Sequence, residues 1–247
     1  MTARLDQALV QRGLARSRGQ ASQAIRDGRV TINTRAATKP STPVADSDRI
    51  EVNTPDPYVS RAARKLIGAL DASGVLVPRR VLDAGASTGG FTQVLLERGA
   101  HQVYAVDVGH DQLADIVRND PKVHVHEGLN LRDLTLDHLD GESVDLIVGD
   151  VSFISLTLLL EPLLAVLKPS GHALLLVKPQ FEVGRGQLDS RGVVRDDAAR
   201  QACVDRVAAT AAGLGWAQAW RGVSGTPGES GNVEYFLLLQ RTEGSGR

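Results

Sequence analysis

The chain has 247 residues, which is enough for one large domain or for a domain with a smaller one attached. Its hydrophobic fraction of 42% and charged fraction of 23% exclude disordered, collagen-like and coiled-coil proteins. The net charge of -1 hides an asymmetry, because residues 1–52 carry nine basic against five acidic side chains while the remainder is acidic. We therefore expect a folded, soluble protein with a small basic unit at its N-terminus.

The sequence also bears on compartment and membrane insertion. The N-terminal stretch MTARLDQALVQRG has no apolar run of the length that a signal peptide needs. The single cysteine, Cys203, allows no intramolecular disulfide. Three acidic residues interrupt the most apolar stretch, 144–167, and a charge at bilayer depth costs about 2.5 to 3.5 kcal/mol. We expect a cytoplasmic protein without stable membrane insertion.

Residues 1–52 predict a small unit of two helices followed by short strands. Apolar residues recur at helical spacing from Leu5 to Leu14, and Ser17 is placed to cap a second helix, RGQASQAIRDG, which Gly28 ends. The segments RVTIN and DRIEV have the alternation of strands, and RAATKPSTPVADS between them reads as a loop. Residues 53–59, which contain two prolines, have the composition of an interdomain linker.

Residues 60–247 predict an α/β domain. After a first helix, SRAARKLIGALDASG, apolar strands alternate with helices from RRVLDAG to the final strand, NVEYFLLLQR. The helices include one near 111–118 and one over 156–167. This alternation predicts a mostly parallel sheet with helices on both faces. Ligands of such sheets bind at the carboxyl ends of the strands.

The stretch VLDAGASTGGF places a glycine-rich loop between the first strand of this domain and a helix. The dinucleotide pattern G-x-G-x-x-G fails, because Ser87 stands where the second glycine is required. Asp83 would repel a phosphate but suits a cation, so we expect S-adenosylmethionine, which has an ammonium, a sulfonium and no phosphate. Asp107 ends the second strand, near the spacing at which an acid accepts ribose hydroxyls. The alternative is a tight turn with two surface acids.

Candidates for the acceptor side follow later strands. Asp150 and Lys178 end two apolar strands, and Glu234 begins the last one. A lysine after a run as apolar as ALLLV is partly desolvated, which favours the neutral amine that a general base needs, and Lys65 on the first helix is a second candidate. The alternative is a rim salt bridge between Lys178 and Glu234 with Lys65 as a solvated helix residue.

Two other classes of methyl acceptor leave different sequence traces. An enzyme that acts on an exocyclic base nitrogen typically has a proline-rich turn with an aromatic residue after the fourth strand, and DVSF contains Phe153 without prolines. An enzyme that acts on carbon 5 of a pyrimidine needs a cysteine nucleophile, whereas Cys203 lies inside a predicted helix and is expected to be a packed thiol.

Together these motifs resemble a known family. Lys65, Asp150, Lys178 and Glu234 with DAGASTGGFT resemble the K-D-K-E tetrad of FtsJ/RrmJ-type ribose 2'-O-methyltransferases, and the basic N-terminal unit resembles an S4 RNA-binding domain. With DVSFIS, LVKPQFEVG and SGNVEYF the chain is similar to the TlyA family of bacterial rRNA cytidine-2'-O-methyltransferases, often also labelled hemolysins. The resemblance implies a Rossmann-like class I S-adenosylmethionine-dependent methyltransferase domain with a small N-terminal α+β S4 domain.

The resemblance also implies a reaction and the residues that serve it. The methyl group of S-adenosylmethionine would pass to the 2'-hydroxyl of a cytidine in rRNA, with Lys178 as base and Lys65, Asp150 and Glu234 orienting the reacting groups. No metal is expected. The cofactor would rest on Asp83, Gly85, Ser87, Thr88, Gly89, Gly90, Asp107 and Asn130. The RNA would be bound by Arg4, Arg18, Lys39, Arg61 and Arg185.

Further expectations concern the substrate and the alternatives. The length is closer to family members that modify 23S rRNA of the large subunit than to longer members that also modify 16S rRNA, and DPYV replaces the Arg-x-Trp-Val linker of some members. The family implies sensitivity to antibiotics of the capreomycin and viomycin type, ribosomal subunits as partners, and a monomer. A non-catalytic rRNA-binding or assembly factor, or a membrane-active hemolysin, would be the alternative functions.

Overall fold

A computed structural model describes residues 2–53, 57–228 and 230–242, without the side chain of Arg185. The chain divides into two compact units, Met1–Pro57 and Tyr58–Arg247. Most of the predicted linker, residues 54–56, lies outside the described residues.

The first unit contains two helices and two small antiparallel sheets. One sheet pairs β1 with β4, and the other has the order β3-β2-β5. The elements are β1 (Thr2–Arg4), α1 (Leu5–Gln11), α2 (Arg18–Arg26), β2 (Val30–Ile32), β3 (Arg35–Ala36), β4 (Pro43–Ala45) and β5 (Ile50–Val52).

The capping prediction for α2 is confirmed, because the hydroxyl oxygen of Ser17 accepts a hydrogen bond from the backbone N–H of Gln20. The expected loop 35–47 instead contains β3 and β4, which are too short to show an alternating pattern. The first helix ends before Leu14, which is 39% exposed. The fully buried Leu5, Leu9 and Ile25 form the centre of this unit's own core.

The second unit contains seven strands with helices between them. The strands are β6 (Arg80–Ala84), β7 (Gln102–Asp107), β8 (Val123–Glu127), β9 (Val144–Gly149), β10 (Leu167–Val177), β11 (Trp216–Val223) and β12 (Tyr235–Arg241). The helices are α3 (Ala62–Ser73), α4 (Gly90–Glu97), α5 (Asp115–Arg118), α6 (Leu160–Ala165), α7 (Pro179–Glu182) and α8 (Asp197–Gly213). Short 3-10 turns span Leu131–Asp133, Leu136–Leu139, Leu156–Leu158 and Arg185–Gln187.

The strands form one sheet of order β11-β12-β10-β9-β6-β7-β8. The pairs from β10 to β8 are parallel, whereas β12 runs antiparallel to both β10 and β11. Successive strand residues face opposite sides, so Leu82 packs in one core and Val81 in another. The prediction of a mostly parallel α/β sheet covered on both faces is confirmed.

Three local expectations differ from the structure or are refined by it. The helix expected near 111–118 is only α5, and the helix expected over 156–167 is a 3-10 turn followed by α6. Cys203 is buried on α8, where desolvation raises the pKa of its thiol, in agreement with a packed residue. Within the described ranges, every helix is too short or too polar to cross a bilayer.

Candidate active site

The glycine-rich loop leaves β6 at its carboxyl end and enters α4. Gly85 and Gly89 have φ values of +85° and +93°, and Ser87 adopts +46°, so the loop makes a sharp left-handed turn. A Cβ atom at Gly85 would lie 3.2 Å from the backbone oxygen of Asp150, on the neighbouring strand end. The loop can therefore follow this path only because side chains are absent where the two strand ends meet.

Asp107 ties this loop to β7. Its Oδ2 accepts a hydrogen bond of 2.8 Å from the backbone N–H of Ser87, and its Oδ1 accepts one of 2.8 Å from Gly109. The carboxylate lies at the end of β7, where the spacing predicts an acid for ribose hydroxyls. These two hydrogen bonds hold the carboxylate in a fixed orientation at the end of β7.

Asp83 lies beneath the loop rather than on an open surface. It is fully buried, and Thr92 donates its hydroxyl hydrogen to Oδ2 at 2.6 Å. Burial raises the pKa of Asp83 to about 7, the Thr92 bond opposes this shift, and the charge of Asp150 adds to it. The buried Oδ1 has no hydrogen-bond partner within the described part of the chain. The alternative of two surface acids therefore does not fit.

Two cavities open on either side of the loop. The first has a volume of about 570 Å³ and is lined by Thr88 and Gly90 together with the lysine and carboxylate residues of the predicted tetrad. The second, of about 510 Å³, is lined by Asp107 and Asn130. The two share a wall made of Gly85, Ser87, Asp150, Ser152 and Phe153.

The predicted cofactor residues are not equivalent in this arrangement. Asp83 and Gly89 line neither cavity, because Asp83 is buried and a Cβ at Gly89 would meet Leu113 at 2.9 Å. Asn130 lines the second cavity while its Oδ1 accepts a hydrogen bond from the backbone of Arg132. Gly89 thus serves close packing of the loop, and the remaining predicted residues form cavity wall.

The four residues of the predicted tetrad meet at the first cavity. Lys178 follows β10 and places Nζ 2.6 Å from Oδ1 of Asp150, while Lys65 places Nζ 2.7 Å from Oε2 of Glu234. Lys65 also lies 3.9 Å from Oδ2 of Asp150, so the two ion pairs are linked. The alternative pairing of Lys178 with Glu234 is wrong, and Lys65 is not a solvated helix residue, because its side chain is 11% exposed.

The antiparallel pairing of β10 with β12 explains why Glu234 lies beside Lys178. Val177 pairs with Tyr235, so the residue after the end of β10 and the residue before the start of β12 are neighbours. Glu234 is 2% exposed, and Lys178 is 8% exposed. Each buried charge has an opposite charge within contact distance, as buried ionised groups require.

Two polar residues of the site escape the sequence prediction. The Lys178 amine donates a hydrogen bond of 2.6 Å to the hydroxyl of Ser152, and the Gln180 amide donates one of 2.9 Å to Oε1 of Glu234. Ser152 lies in the motif DVSF, and Gln180 lies in LVKPQFEVG. Their position two residues after Asp150 and Lys178 was the available signal.

Phe153 is the most unusual residue of the shared wall. It is 90% exposed and has a φ value of +64°, a region that side-chain-bearing residues rarely adopt. Its ring contacts Phe181, with 5.1 Å between ring centroids. An exposed aromatic ring held in a strained conformation at a cavity mouth indicates a ligand-facing role.

Glu182 fixes the segment that carries this ring. Its carboxylate accepts hydrogen bonds from the Ser155 hydroxyl at 2.7 Å and from the Leu156 backbone at 2.6 Å. The side chain is 1% exposed, and Arg206 lies 3.6 Å from Oε2. Through these bonds the end of α7 holds the turn that follows Phe153.

The predicted RNA-binding residues fall on both units. Arg4 and Arg18 converge on the buried carboxylate of Asp6, at 3.1 and 2.9 Å, while both guanidinium groups remain about half exposed. Lys39 lines a groove of about 630 Å³ within the first unit. Arg61 lines the first cavity of the second unit, and the side chain of Arg185 lies outside the described residues.

The residues present fit S-adenosylmethionine. The glycines of the loop bring backbone rather than side chains to the first cavity, and the carboxylate of Asp107, on the wall of the second, suits the ribose hydroxyls of this cofactor. Asp83, which lines neither cavity, supports the loop from below and is not available to a ligand.

Comparisons with known proteins agree with this geometry. An FtsJ-like methyltransferase family model matches residues 58–241, and an S4 domain model matches residues 3–50. The chain is 51% identical to the 16S/23S rRNA (cytidine-2'-O)-methyltransferase TlyA of Mycobacterium tuberculosis, over 96% of this chain and 90% of that protein. It is 42% identical to the 23S rRNA (cytidine-2'-O)-methyltransferase TlyA of Campylobacter jejuni, over 72% of this chain and 69% of that protein.

A solved structure extends the likeness to the whole architecture. A hemolysin-named protein from Streptococcus thermophilus superposes with a TM-score of 0.76 at 35% identity, over 98% of this chain and 89% of the other. The S4 domain, the FtsJ-like domain and the relatives at 42% and 51% identity lead to one conclusion. The chain belongs to the TlyA family of FtsJ-like methyltransferases.

Proposed function

We propose that the protein transfers a methyl group from S-adenosylmethionine to the 2'-hydroxyl of a cytidine in ribosomal RNA. The observation that carries the proposal is the linked pair of buried ion pairs, Lys178 with Asp150 and Lys65 with Glu234, in a cavity bordered by the glycine loop. A ribose hydroxyl is a poor nucleophile, so its methylation needs a positioned base. The names of the rRNA methyltransferase relatives support the same reaction and substrate.

S-adenosylmethionine, when bound, would supply the methyl group from its sulfonium, whose S–CH3 bond breaks to leave the neutral thioether of S-adenosylhomocysteine. The residues that would hold it are the cavity-lining members of the predicted set, with Asp83 and Gly89 supporting the loop from below. Asp107 would accept the ribose hydroxyls, and Asn130 lies on the same cavity wall. The shared wall brings this second cavity to the tetrad.

Lys178 is the residue that would remove the proton from the hydroxyl. Asp150 and the Ser152 hydroxyl hold its amine at the cavity wall, each 2.6 Å from Nζ. In its neutral form the amine accepts the hydroxyl proton at Nζ as the oxygen gains its methyl group, and Asp150 then stabilises the resulting ammonium.

Lys65, Glu234 and Gln180 would orient the acceptor. Glu234 is held on one oxygen by Lys65 and on the other by Gln180, so its carboxylate cannot rotate freely. This double restraint keeps the polar groups of the cavity fixed while the substrate enters. Fixed groups hold the acceptor hydroxyl in a reactive orientation, which accelerates the reaction.

The RNA would be bound by both units. Arg4, Arg18 and Lys39 present positive charge in the S4 domain, and Arg61 does so at the cavity of the second unit. Arg185 remains a proposed RNA contact. Phosphate contacts of this kind supply affinity without reading sequence. The target nucleotide would turn out of its helix into the cavity, where the exposed ring of Phe153 offers a stacking surface for the base.

The 23S rRNA of the large subunit is the proposed target, with 16S rRNA as a further one that the name of the mycobacterial relative suggests. Loss of the methyl mark would then reduce sensitivity to capreomycin and viomycin-type antibiotics. We propose domains 1–52 and 60–247 joined by the linker 53–59, acting as a cytoplasmic monomer.

The test uses purified full-length protein, tritiated S-adenosylmethionine and separate large and small ribosomal subunits that lack the methyl mark. Label on a ribose of the large subunit, absent with Lys178→Ala, is the expected result, and primer-extension stops at low dNTP concentration locate it. Calorimetry with S-adenosylmethionine checks that the variant still binds the cofactor. Cofactor binding without label on either subunit would overturn the rRNA substrate and favour a non-catalytic rRNA-binding factor.

A further inference from the structure

A compact turn contributes to the wall of the first cavity. Asp189 organises it, because its Oδ1 accepts backbone hydrogen bonds from Arg191 at 2.8 Å and from Val193 at 2.9 Å. Two further backbone bonds join Asp189 to Gly192 and Val193. These bonds make residues 189–193 a built turn with Arg191 near its tip.

Asn232 fastens this turn to the strand that delivers Glu234. Its side chain donates a hydrogen bond to the carbonyl of Gly192 at 3.0 Å and accepts one from the backbone of Val194 at 3.1 Å. Asn232 is 3% exposed and precedes Glu234 by two residues. The turn is therefore fixed relative to the tetrad rather than free to move away from it.

Arg191 lines the first cavity and is exposed. The structure assigns its guanidinium no acidic partner among residues 2–53, 57–228 and 230–242. Arg195, four residues later, differs because its Nε lies 2.9 Å from Asp189. With respect to the described part of the chain, Arg191 therefore presents an unpaired positive charge at the cavity, and Arg195 does not.

The charges that line the cavity do not cancel. Among the described lining residues, four are basic and two are acidic, and the two acids are already paired with Lys65 and Lys178. The surplus positive charge comes from Arg61 and Arg191, on the rim. A 2'-hydroxyl in RNA lies between the 5' and 3' phosphates of its own nucleotide, so a cavity that accepts this hydroxyl must also receive phosphate.

We propose that Arg191 binds a phosphate next to the target nucleotide and that Asn232 is the positioning residue that holds Arg191 there. This inference rests on the proposed function, because it assumes an RNA acceptor in the first cavity. Arginine suits the role, since its planar guanidinium can donate two hydrogen bonds to one phosphate.

The test measures binding of the full-length protein to large ribosomal subunits that lack the methyl mark, without cofactor, across a series of salt concentrations. Arg191→Ala is expected to weaken binding about tenfold and to reduce the slope of log affinity against log salt by about one, as the loss of one phosphate contact does. Arg195→Ala removes the same charge from the same segment and is the matched control. Equal losses in both variants would overturn the proposal, because the effect would then be one of net charge.

Asn232→Ala tests the positioning role. If Asn232 acts through Arg191, the double variant binds RNA no more weakly than Arg191→Ala alone, whereas independent effects would add. Additive losses would overturn the positioning role of Asn232. Arg191→Lys keeps the positive charge but loses the planar guanidinium that can donate two hydrogen bonds to one phosphate. Its RNA affinity is therefore expected to lie between those of Arg191→Ala and wild type.

Two further measurements separate this inference from the proposed function. Calorimetry with S-adenosylmethionine is expected to give the wild-type affinity for Arg191→Ala; a loss here with RNA binding intact would place Arg191 at the cofactor instead. Wild-type methyl transfer to the subunits tests the proposed function itself. Active wild-type protein with an Arg191→Ala variant of unchanged RNA affinity and salt slope would overturn only the phosphate contact.

Discussion

Thr92 donates its hydroxyl hydrogen to Asp83 at 2.6 Å, in a contact enclosed entirely beneath the glycine loop. Burial raises the pKa of Asp83 to about 7, although the Thr92 bond lowers it. The unfolded chain has an aspartate pKa of about 3.9. Between these two pH values the folded chain therefore holds a proton that the unfolded chain has released, and stability falls as the pH rises.

We expect the stability of the wild-type protein, relative to Asp83→Asn, to decrease from about pH 4 to about pH 7 and then to level off, by a total on the order of 4 kcal/mol. Urea unfolding followed by tryptophan fluorescence reports this domain, because both tryptophans, Trp216 and Trp220, lie in the second unit. Asp71→Asn, at an exposed ion pair with Arg98, is the control. A difference between wild type and Asp83→Asn that does not vary with pH would contradict the shift.

Removal of the Glu182 carboxylate is expected to destabilise the second unit. Glu182→Ala leaves the Leu156 backbone N–H without its acceptor and removes one of the two hydrogen-bond partners of the Ser155 hydroxyl, so it should lower the free energy of unfolding by about 3 kcal/mol. Glu182→Gln keeps one acceptor oxygen and should lose less. The same fluorescence-detected unfolding measures both, with the exposed Glu161→Ala as control. Equal stability of Glu182→Ala and wild type would show that the turn after Phe153 does not depend on this carboxylate.

The backbone at Phe153 should reveal its strain when two small residues are compared. At a φ of +64°, Phe153→Gly is expected to be more stable than Phe153→Ala by about 1 kcal/mol, because glycine carries no Cβ penalty there. Both variants lose the ring contact with Phe181, so this loss does not contribute to the stability difference between them. Both variants should transfer methyl groups to rRNA more slowly, since both lack the ring.

Leu76 provides the control for this comparison, because it is exposed and lies outside the residues of positive φ. There the order should reverse, with Leu76→Ala more stable than Leu76→Gly. If glycine and alanine were equally stable at Phe153, the left-handed conformation would carry no strain.

Asp6 should make the S4 unit sensitive to acid. The hydrogen bond from Arg4 lowers the pKa of Asp6, burial opposes this, and Arg18 lowers it further. A lowered pKa stabilises the fold above the unfolded value of about 3.9, and this stabilisation disappears as the pH falls through the folded pKa.

Asp6→Asn is therefore expected to be less stable than wild type at neutral pH, by about 1 to 2 kcal/mol, and equally stable in acid. The chain's tryptophans lie outside this unit, so amide NMR signals of α1 during urea unfolding are the appropriate measurement. Asp46→Asn, outside this arginine pair, is the control. A stability difference that persists in acid would mean that Asp6 acts through packing rather than charge.

The tetrad illustrates what sequence could and could not predict. The membership of Asp150 and Lys178 follows from strand ends, since parallel strands deliver those ends to one edge. Which lysine pairs with which carboxylate depends on the path of α3 and on the register between β10 and β12, which are set by long-range packing. The sequence-based alternative therefore paired Lys178 with Glu234, whereas Lys65 holds Glu234 and Lys178 holds Asp150.

The burial of Asp83 was also not predictable from the sequence. Its place in VLDAG identified it as an acid beside a glycine loop, but a loop that bends at Gly85 covers the carboxylate instead of exposing it. Short strands such as β3 were missed for another reason. Two residues cannot display an alternating pattern, and their pairing with β2 supplies the structure that local sequence lacks.

The antiparallel course of β12 has a consequence for how this enzyme can vary. Glu234 and Lys178 are adjacent because Tyr235 is in register with Val177, and Tyr235 is also in register with Val223 on β11. A slip of one residue within β12 would turn Glu234 to the opposite face and break both registers. Length variation among natural relatives should accordingly be absent from β12.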